Sequence, residues 1–217
     1  MNYQSELEKI LAKDSEQGKK VLLHSCCAPC SSYVLTYLRQ YFRVTVFYFN
    51  PNITADTEYY KRVDEQKRLI DELNDDESGY KIDIIEGDYQ PESFLELVKG
   101  YESCPEGGER CKLCFRQRLE ATALLAKAQN FDYFATTLTV SPLKNATVLN
   151  ELGLALAEEY DVSYLVSDFK KKNGYKTSIE LSKKYDLYRQ DYCGCAFSKA
   201  ERELQKQKNA DDYFIKS

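Results

Sequence analysis

Lys20-Val-Leu-Leu-His-Ser-Cys-Cys-Ala-Pro-Cys30 is a short apolar run that ends in a thiol-rich turn. Its first part, residues 20–25, reads as a buried strand, and Pro29, Ser31 and Ser32 then open an amphipathic stretch through Val34, Leu35 and Leu38. The vicinal pair Cys26-Cys27 therefore falls at a strand-to-helix turn. The same alternation continues outward. Residues 43–49 make a second strand, stopped by Asn50-Pro51-Asn52, after which Tyr59, Val63, Gln66, Ile70 and Leu73 recur at helical spacing. Residues 80–85 read as a third strand, ended by Gly87-Asp88, and Pro91 opens another helix. Residues 131–137 and 162–166 supply two more strands, separated by a helix over 145–160. Strand and helix alternate throughout. That order predicts one α/β domain over 1–217, with a doubly wound, mainly parallel, Rossmann-like sheet of roughly five strands and helices on both faces.

In such sheets ligands bind beyond the carboxyl ends of the strands. Cys26-Cys27, Asn50, Gly87-Asp88, residues 136–141 and Asp168 all follow expected strands, so they should share one edge. Residues 101–114, with Pro105, Gly107 and Gly108, read as an irregular, Cys-rich excursion carrying three cysteines. Residues 198–208 read as a polar C-terminal helix, and the acid-rich stretch 65–77 as a solvated helix face.

Composition narrows the class. With 43% hydrophobic residues over 217 positions the chain can bury a sizeable core. Thirty Lys and Arg against 35 Asp and Glu leave a net charge of −5, which argues against a protein held on nucleic acid by bulk charge alone. The charged, amphipathic first residues do not read as a secretory signal, and no apolar run approaches the roughly 18 residues of a membrane span. A cytoplasmic location is expected, where thiols stay reduced. Eight cysteines are too few for a disulfide scaffold, so they need another explanation.

All eight, Cys26, Cys27, Cys30, Cys104, Cys111, Cys114, Cys193 and Cys195, lie in local groups. Packing thiols have no reason to recur at spacings of one to three residues, whereas a thiolate site needs several sulfurs converging on one point. Cys111-Lys-Leu-Cys114 can hold one metal or cluster, or act as a redox dithiol. Four-coordinate zinc would commonly draw on a second such unit or a His pair. The only histidine is His24, inside an apolar strand and so expected in the core. Adjacent Cys26 and Cys27 cannot both meet one small ion without strain, but they can reach different irons of a cluster. With Cys111 and Cys114 they make four thiolates, the complement of a 4Fe-4S centre.

Cys193-Gly-Cys195 can close only a small strained ring, and strained disulfides are oxidising and labile, so a redox pair is expected. The other reading is a pair of metal ligands at a turn, where Gly194 supplies backbone freedom. Cys30, one helical turn from Cys26-Cys27, is either a ligand of a second metal or a buried thiol; Cys104 has no assignment from spacing.

His24-Ser-Cys-Cys-Ala-Pro-Cys30, Tyr48-Phe-Asn-Pro-Asn52, Glu109-Arg-Cys-x-x-Cys-Phe-x-x-Arg118, Thr136-Thr-Leu-Thr-Val-Ser-Pro-x-Lys-Asn145 and Tyr188-Arg-Gln-x-Tyr-Cys-Gly-Cys195 together resemble epoxyqueuosine reductases of the QueH type. The likeness runs in consistent order from about residue 24 to 198, and the five motifs in series are specific where each alone is weak. The resemblance implies a cytoplasmic, cobalamin-independent oxidoreductase of tRNA processing that reduces the epoxide of epoxyqueuosine in the last step of queuosine biosynthesis. It implies a 4Fe-4S cluster on Cys26, Cys27, Cys111 and Cys114, and a redox-active pair, a disulfide when oxidised, at Cys193 and Cys195. It further implies an adjacent mononuclear metal ion, iron for preference, for which Cys30 is the candidate by its place in the motif. The partners would be tRNA carrying epoxyqueuosine in the anticodon loop and an electron donor, with no membrane.

Removing the epoxide oxygen takes two electrons and two protons. An adjacent metal can act as Lewis acid on that oxygen, while the Cys193 and Cys195 thiols store or relay reducing equivalents. Tyr188, Arg189 and Tyr192 are candidates for proton donation or positioning. Arg110, Lys112, Arg116 and Arg118, with residues 170–172 and Lys176, offer basic ground for phosphates beside the site.

Two other readings belong to different classes. The strand order and Ser141-Pro-x-Lys-Asn145 resemble adenine-nucleotide alpha-hydrolase folds such as the ATP pyrophosphatases that modify tRNA. Their first loop is Gly-rich for phosphate, whereas here the turn has no Gly and a Pro lacking an amide. A zinc-stabilised RNA-binding module is the non-enzymatic alternative.

Overall fold

The structure is a computed structural model that describes residues 1–215 and the side chains of residues 1–209. Its elements are α1 (Tyr3–Leu11), β1 (Lys20–His24), α2 (Ala28–Leu38), β2 (Arg43–Tyr48), α3 (Asp56–Asp75), β3 (Asp83–Glu86), α4 (Pro91–Leu97), α5 (Glu109–Ala128), β4 (Tyr133–Thr136), α6 (Ala146–Tyr160), β5 (Ser163–Tyr164), α7 (Gly174–Lys184) and α8 (Ala196–Ile215). The five strands form one sheet in the order β3-β2-β1-β4-β5, every pair parallel. From β1 the chain winds outward through β2 and β3, then returns to the other side of β1 for β4 and β5. The winding reverses between β1 and β4, and a crevice opens beyond their carboxyl ends.

Alternation along the strands assigns each face. Val21 and Leu23 enter a core with Val34, Leu35 and Leu38 of α2 and Leu69, Ile70 and Leu73 of α3. Leu22 points the other way and joins Phe134, Leu119 and Ala123 of α5, and Leu149 and Leu156 of α6. Burying each such aliphatic side chain contributes roughly 1.5–3 kcal/mol, so both faces of β1 are committed and the turn that follows it has little freedom. Among the described residues no helix is long and apolar enough to cross a membrane.

Three strands are shorter than the sequence implies, each because a competing partner takes the backbone. In the third, Tyr80 N–H donates to Arg39 O at 2.9 Å and Ile82 N–H to Asn74 Oδ1 at 2.8 Å, so pairing starts only at Asp83. In the fourth, Phe131 N–H bonds back to Ala126 O of α5, and residues from Thr137 turn into a 3-10 segment, Thr137–Val140. In the fifth, Val162 N–H goes to Ala157 O and Ser167 N–H to Asn150 Oδ1.

The Cys-rich excursion also needs correction. It ends at Gly108, and α5 begins at Glu109, so only Cys104 of its three cysteines lies in irregular chain. Phe115, Leu119, Thr122, Ala123 and Ala126 continue one buried face of that helix. Cys111 and Cys114 are thus one turn apart on the buried side of a regular helix. The C-terminal helix is longer than expected and starts at Ala196, directly after Cys195.

Candidate functional site

A cavity of about 360 Å³ lies at the reversal point. Its lining includes Cys26, Cys27 and Cys30 from the turn after β1, Cys111 and Cys114 from α5, and Cys193 and Cys195 from the segment before α8. Chain segments far apart in sequence therefore bring seven of the eight cysteines to one space. Cys104 is not among them. All eight are free thiols, so the expected 193–195 disulfide is not formed in this structure.

The first group is built into the sheet. Asn50, one of the residues that stop the second strand, donates from Nδ2 to Ser25 O at 2.8 Å. Ser25 Oγ and Ser31 Oγ both donate to Gln66 Oε1, at 2.7 and 2.9 Å. Cys27 caps the start of α2 in extended conformation with Pro29 in the first turn, so the chain rises from strand to helix with no spare residue. Across the reversal point, Cys26 Sγ lies 3.7 Å from Thr137 Oγ1, just after β4. The sulfurs of Cys26, Cys27 and Cys30 all lie within 4.8 Å of one another. Hydrogen bonds from the Cys27 and Cys30 thiols hold Cys26 well below the ordinary thiol range, while Cys27, which must keep its proton to make that bond and is buried, is pushed up to about 12.

His24 takes the structural role expected of it. It is fully buried, its Nε2 donates to Phe49 O at 3.3 Å, and its Nδ1 accepts from Thr136 Oγ1 at 3.0 Å. Burial, reinforced by the charge of Arg118, lowers its pKa to about 3 and keeps the ring neutral.

Cys193 and Cys195 are held differently. Gly194 has φ +119, and a Cβ there would meet Ile53 Cγ1 at 2.7 Å, so only glycine fits the turn between them. Arg62 Nη1 and Asn52 Nδ2 donate to Cys193 O, at 3.2 and 3.5 Å, and Thr54 N–H donates to Gly194 O at 3.3 Å. The two sulfurs are 3.6 Å apart. Ser198 Oγ lies 3.0 Å from Cys193 Sγ, and Ser198 N–H donates to Cys195 Sγ at 3.3 Å, so that thiol caps α8. The Cys195 thiol, the charge of Lys144 and the Ser198 hydroxyl together hold Cys193 at about 5 despite its burial. Cys195 is pushed up in turn.

Charge at the cavity follows the sulfur. Arg62, Arg110, Arg118, Lys144, Arg189 and Arg202 line it, against Glu106 and Asp191. Lys144, in the Ser-Pro-x-Lys-Asn segment, pairs with Glu106 at 2.9 Å; burial opposes its charge, but Cys193 and Glu106 outweigh that and raise it to about 12. Its neighbour Asn145 caps α6, accepting from the N–H groups of Thr147 and Val148.

Several residues depart from their expected parts. Arg110 and Arg118 are buried, Arg110 binding Glu201 at 2.9 Å and the carbonyls of Glu102 and Cys104, Arg118 the Cys114 carbonyl. They brace the Cys-bearing end of α5 while also lining the cavity. Lys112, Arg116, Lys170, Lys172 and Lys176 are in ion pairs with Glu109, Glu159, Asp168, Glu8 and Glu180. Tyr188 donates to Glu58 and lies outside the cavity lining, whereas Tyr192 and Arg189 are part of it. Asp168 lies in a shallower hollow with Lys170.

Glu65 and Arg68, in the stretch of α3 that reads as a solvated face, together with Glu58 and Arg62 just before it, bind the segment leading to Cys193. Arg68 donates to the carbonyls of Tyr185 and Asp186, Glu65 accepts from Tyr188 N–H, Glu58 from Tyr188 Oη, and Arg62 donates to Cys193 O. Their spacing of three and four residues was the available signal. Nothing in the sequence points to Ser198, and Lys144 stands in the Ser-Pro-x-Lys-Asn segment without a role that the segment alone assigns.

A parallel sheet whose reversal point opens onto thiols and cations, with no Gly-rich phosphate turn after β1, defines a doubly wound α/β domain with a sulfur-rich reaction crevice. The family model described as epoxyqueuosine reductase QueH matches residues 21–201. The chain belongs to that family. It is 42% identical over 216 residues to "Epoxyqueuosine reductase QueH" of Staphylococcus epidermidis, covering 97% of this chain and 90% of that one. It is 42% identical to the protein of the same name from Streptococcus pyogenes serotype M1, over 89% of this chain and 75% of that one. The Thermotoga maritima protein of that name is 34% identical over 84% of this chain and 91% of its own length. Among solved structures, the U34-tRNA thiolase NcsA from Methanococcus maripaludis with its 4Fe-4S cluster aligns with TM-score 0.48 and 11% identity, over 96% of this chain and 72% of that one. That likeness is too remote to carry an argument.

Proposed function

We propose that this chain reduces the epoxide of epoxyqueuosine in tRNA to the alkene of queuosine, as a cobalamin-independent, 4Fe-4S-dependent oxidoreductase of the cytoplasm. The observation that carries the reading is the convergence of seven thiols on one cavity in a chain of this family.

The donor set fits an iron–sulfur group. Sulfur donors outnumber the two carboxylates at the wall, which is the opposite of a site for a hard cation, and the buried guanidinium and ammonium groups offset thiolate charge. Cys26, Cys27, Cys111 and Cys114 would hold the cluster, with Cys30 beside the first pair as ligand of an adjacent iron. When bound, these groups supply single electrons and a Lewis acid toward the epoxide oxygen.

The chain's own residues supply the rest. Reduction consumes two electrons and two protons and releases the oxygen as water. A thiolate and a thiol closing to a disulfide yield two electrons and one proton, so Cys193 and Cys195, 3.6 Å apart, can store the electrons and one proton and be recharged by an electron donor, the second proton coming from solvent. The Cys195 thiol, Lys144 and Ser198 keep charge on Cys193, which favours thiolate chemistry there. Arg62 and Asn52 hold the Cys193 carbonyl, fixing the loop over the crevice.

The test is anaerobic purification with iron and sulfide assays, then chemical reduction with tRNA carrying epoxyqueuosine. Iron and sulfide in the ratio of a 4Fe-4S cluster and conversion to queuosine are expected. Colourless protein with stoichiometric zinc and no conversion would overturn the reading in favour of a zinc-stabilised RNA-binding module.

A further inference from the structure

We propose that the cavity mouth is a clamp for one unstacked nucleobase of a single-stranded RNA loop, with Tyr175 and Leu143 as its jaws and Arg189 and Arg202 as phosphate contacts. The proposal rests on the tRNA-reductase reading and names the surface that would present the substrate.

Leu143 is 74% exposed and Tyr175 38% exposed, yet both line the cavity. Apolar side chains exposed singly are ordinary on a surface, but these two border one cavity beside cations that have no carboxylate partner among the described residues. The two come from unrelated elements, the turn before α6 and the first turn of α7, so the fold brings them together only at this mouth. Tyr60, at 57% exposure, is different: its ring already meets Tyr59 and Tyr89 edge-on.

The backbone is strained to place Tyr175. Lys172 and Asn173 are consecutive left-handed residues, φ 49 and 65, a conformation that side chains other than glycine adopt at a cost. Gly174 follows, where a Cβ would meet Phe169 O at 1.9 Å and Tyr33 Cε1 at 2.5 Å. The start of α7 is therefore pressed into place, and the next residue outward is Tyr175.

The polar groups at the same mouth suit RNA. Arg189 and Arg202 are exposed and bond only to neutral groups, Ser182 Oγ and Gln205 Oε1, with no carboxylate in ion-pair range among the described residues. That sets them apart from the paired cations farther out. Gln190, also at the wall, has its Oε1 buried without a donor, an acceptor that a turn of its side chain would offer to a base edge. A space of about 360 Å³ that would also hold the cluster leaves room at its mouth for one base and not for a duplex, and aromatic faces flanked by cations are how single strands are held.

The test is fluorescence anisotropy of iron-loaded protein with labelled tRNA carrying epoxyqueuosine. Tyr175→Ala is expected to weaken binding roughly 5- to 150-fold, with Tyr175→Phe restoring it. Arg202→Gln should lower the salt slope of binding by about 1. Tyr60→Ala, on the other surface, serves as the control and should bind as wild type. Wild-type affinity in Tyr175→Ala, or an equal loss in Tyr60→Ala, overturns the clamp. Conversion of the epoxide by the unaltered protein is scored in parallel: its absence removes the functional reading, whereas conversion with undiminished Tyr175→Ala binding removes the clamp alone.

Discussion

Cys26, Cys27 and Cys30 on one wall of the crevice, and Cys193 and Cys195 on the other, each stand at the first turn of a helix, α2 and α8. Their support differs in kind. The first group follows a central strand whose two faces are both packed, and Ser25, Ser31, Asn50 and Gln66 bond around it in the buried interior. The second group has no strand beneath it. It is moored by side chains of α3 and by the turn after β2, through bonds of 3.2 to 3.5 Å to two carbonyls. A position set by a sheet is held by many contacts and shifts little, while one set by a few side chains can be loosened singly. The rigid wall suits a ligand set that must keep its spacing; the moored loop suits thiols that change partners during a reaction.

The largest expected effect breaks the comparison at its chemical end. Cys27→Ser and Cys111→Ser should each strip iron and sulfide from the anaerobically purified protein and abolish turnover, since a thiolate ligand set does not tolerate a hydroxyl in place of sulfur. Cys193→Ser should retain the colour and the iron while losing turnover. Iron and sulfide content beside turnover reads both at once. A Cys193→Ser protein stripped of iron like the Cys27→Ser protein would make the two walls chemically alike and end the distinction.

Next in size is the mooring itself. Arg62 is 2% exposed and bound to Glu58 at 2.6 Å, so Arg62→Met leaves a largely buried carboxylate unpaired and frees the Cys193 carbonyl. Breaking such a pair typically costs about 3 kcal/mol or more, which a urea titration resolves. Arg62→Lys keeps charge but not the fork that reaches Glu58 and Cys193 together, and should fall between. In both variants the iron content should survive, because the wall built on β1 does not depend on this contact. Loss of iron in parallel with stability would show that the two walls are one unit.

How legible this was differs between the walls in the same way. Apolar runs and their helical sequels revealed the parallel sheet, and a turn straight after a strand had to lie at its carboxyl edge, so Cys26 and Cys27 were placed by pattern alone. Cys111 and Cys114 were visible as a pair but misplaced in irregular chain, because Pro105, Gly107 and Gly108 outweighed the helical spacing that starts at Glu109. The mooring of Cys193 was invisible. It depends on Glu58, Arg62, Glu65 and Arg68 sharing one face of α3 and meeting a segment over a hundred residues later, and charged residues at that spacing look the same whether they face water or a loop. Arg110 and Arg118 differ for another reason: arginines near cysteines suggest phosphate, but both are buried, Arg110 bound to two carbonyls and Glu201 and Arg118 turning its Nε to the Cys114 carbonyl of its own helix. Where backbone pattern decides a position the residues declare it; where long-range side-chain contacts decide it, they do not.

The smallest expected effect tests one strand of the mooring through pH. Arg68 above all holds the Glu65 carboxyl below the ordinary glutamate value, against an opposing effect of burial and with a lesser contribution from the N–H of Tyr188. Glu65 therefore binds its proton less readily in the folded than in the unfolded chain. Its contribution to stability is full above the unfolded value, about 4.3, and is lost as the pH falls through the lower folded value. Because Arg68 is 40% exposed and water screens the pair, the contribution is less than about 1 kcal/mol. Glu65→Gln should lower the urea midpoint slightly at neutral pH and leave it nearly unchanged once the pH is below the lowered folded value, so the two proteins converge in acid. A constant gap across that range would mean that Glu65 contributes through shape and packing. A gap that closes in acid would show that a single ionised side chain helps hold the Cys193 segment against α3, which is the kind of contact the rigid wall does without.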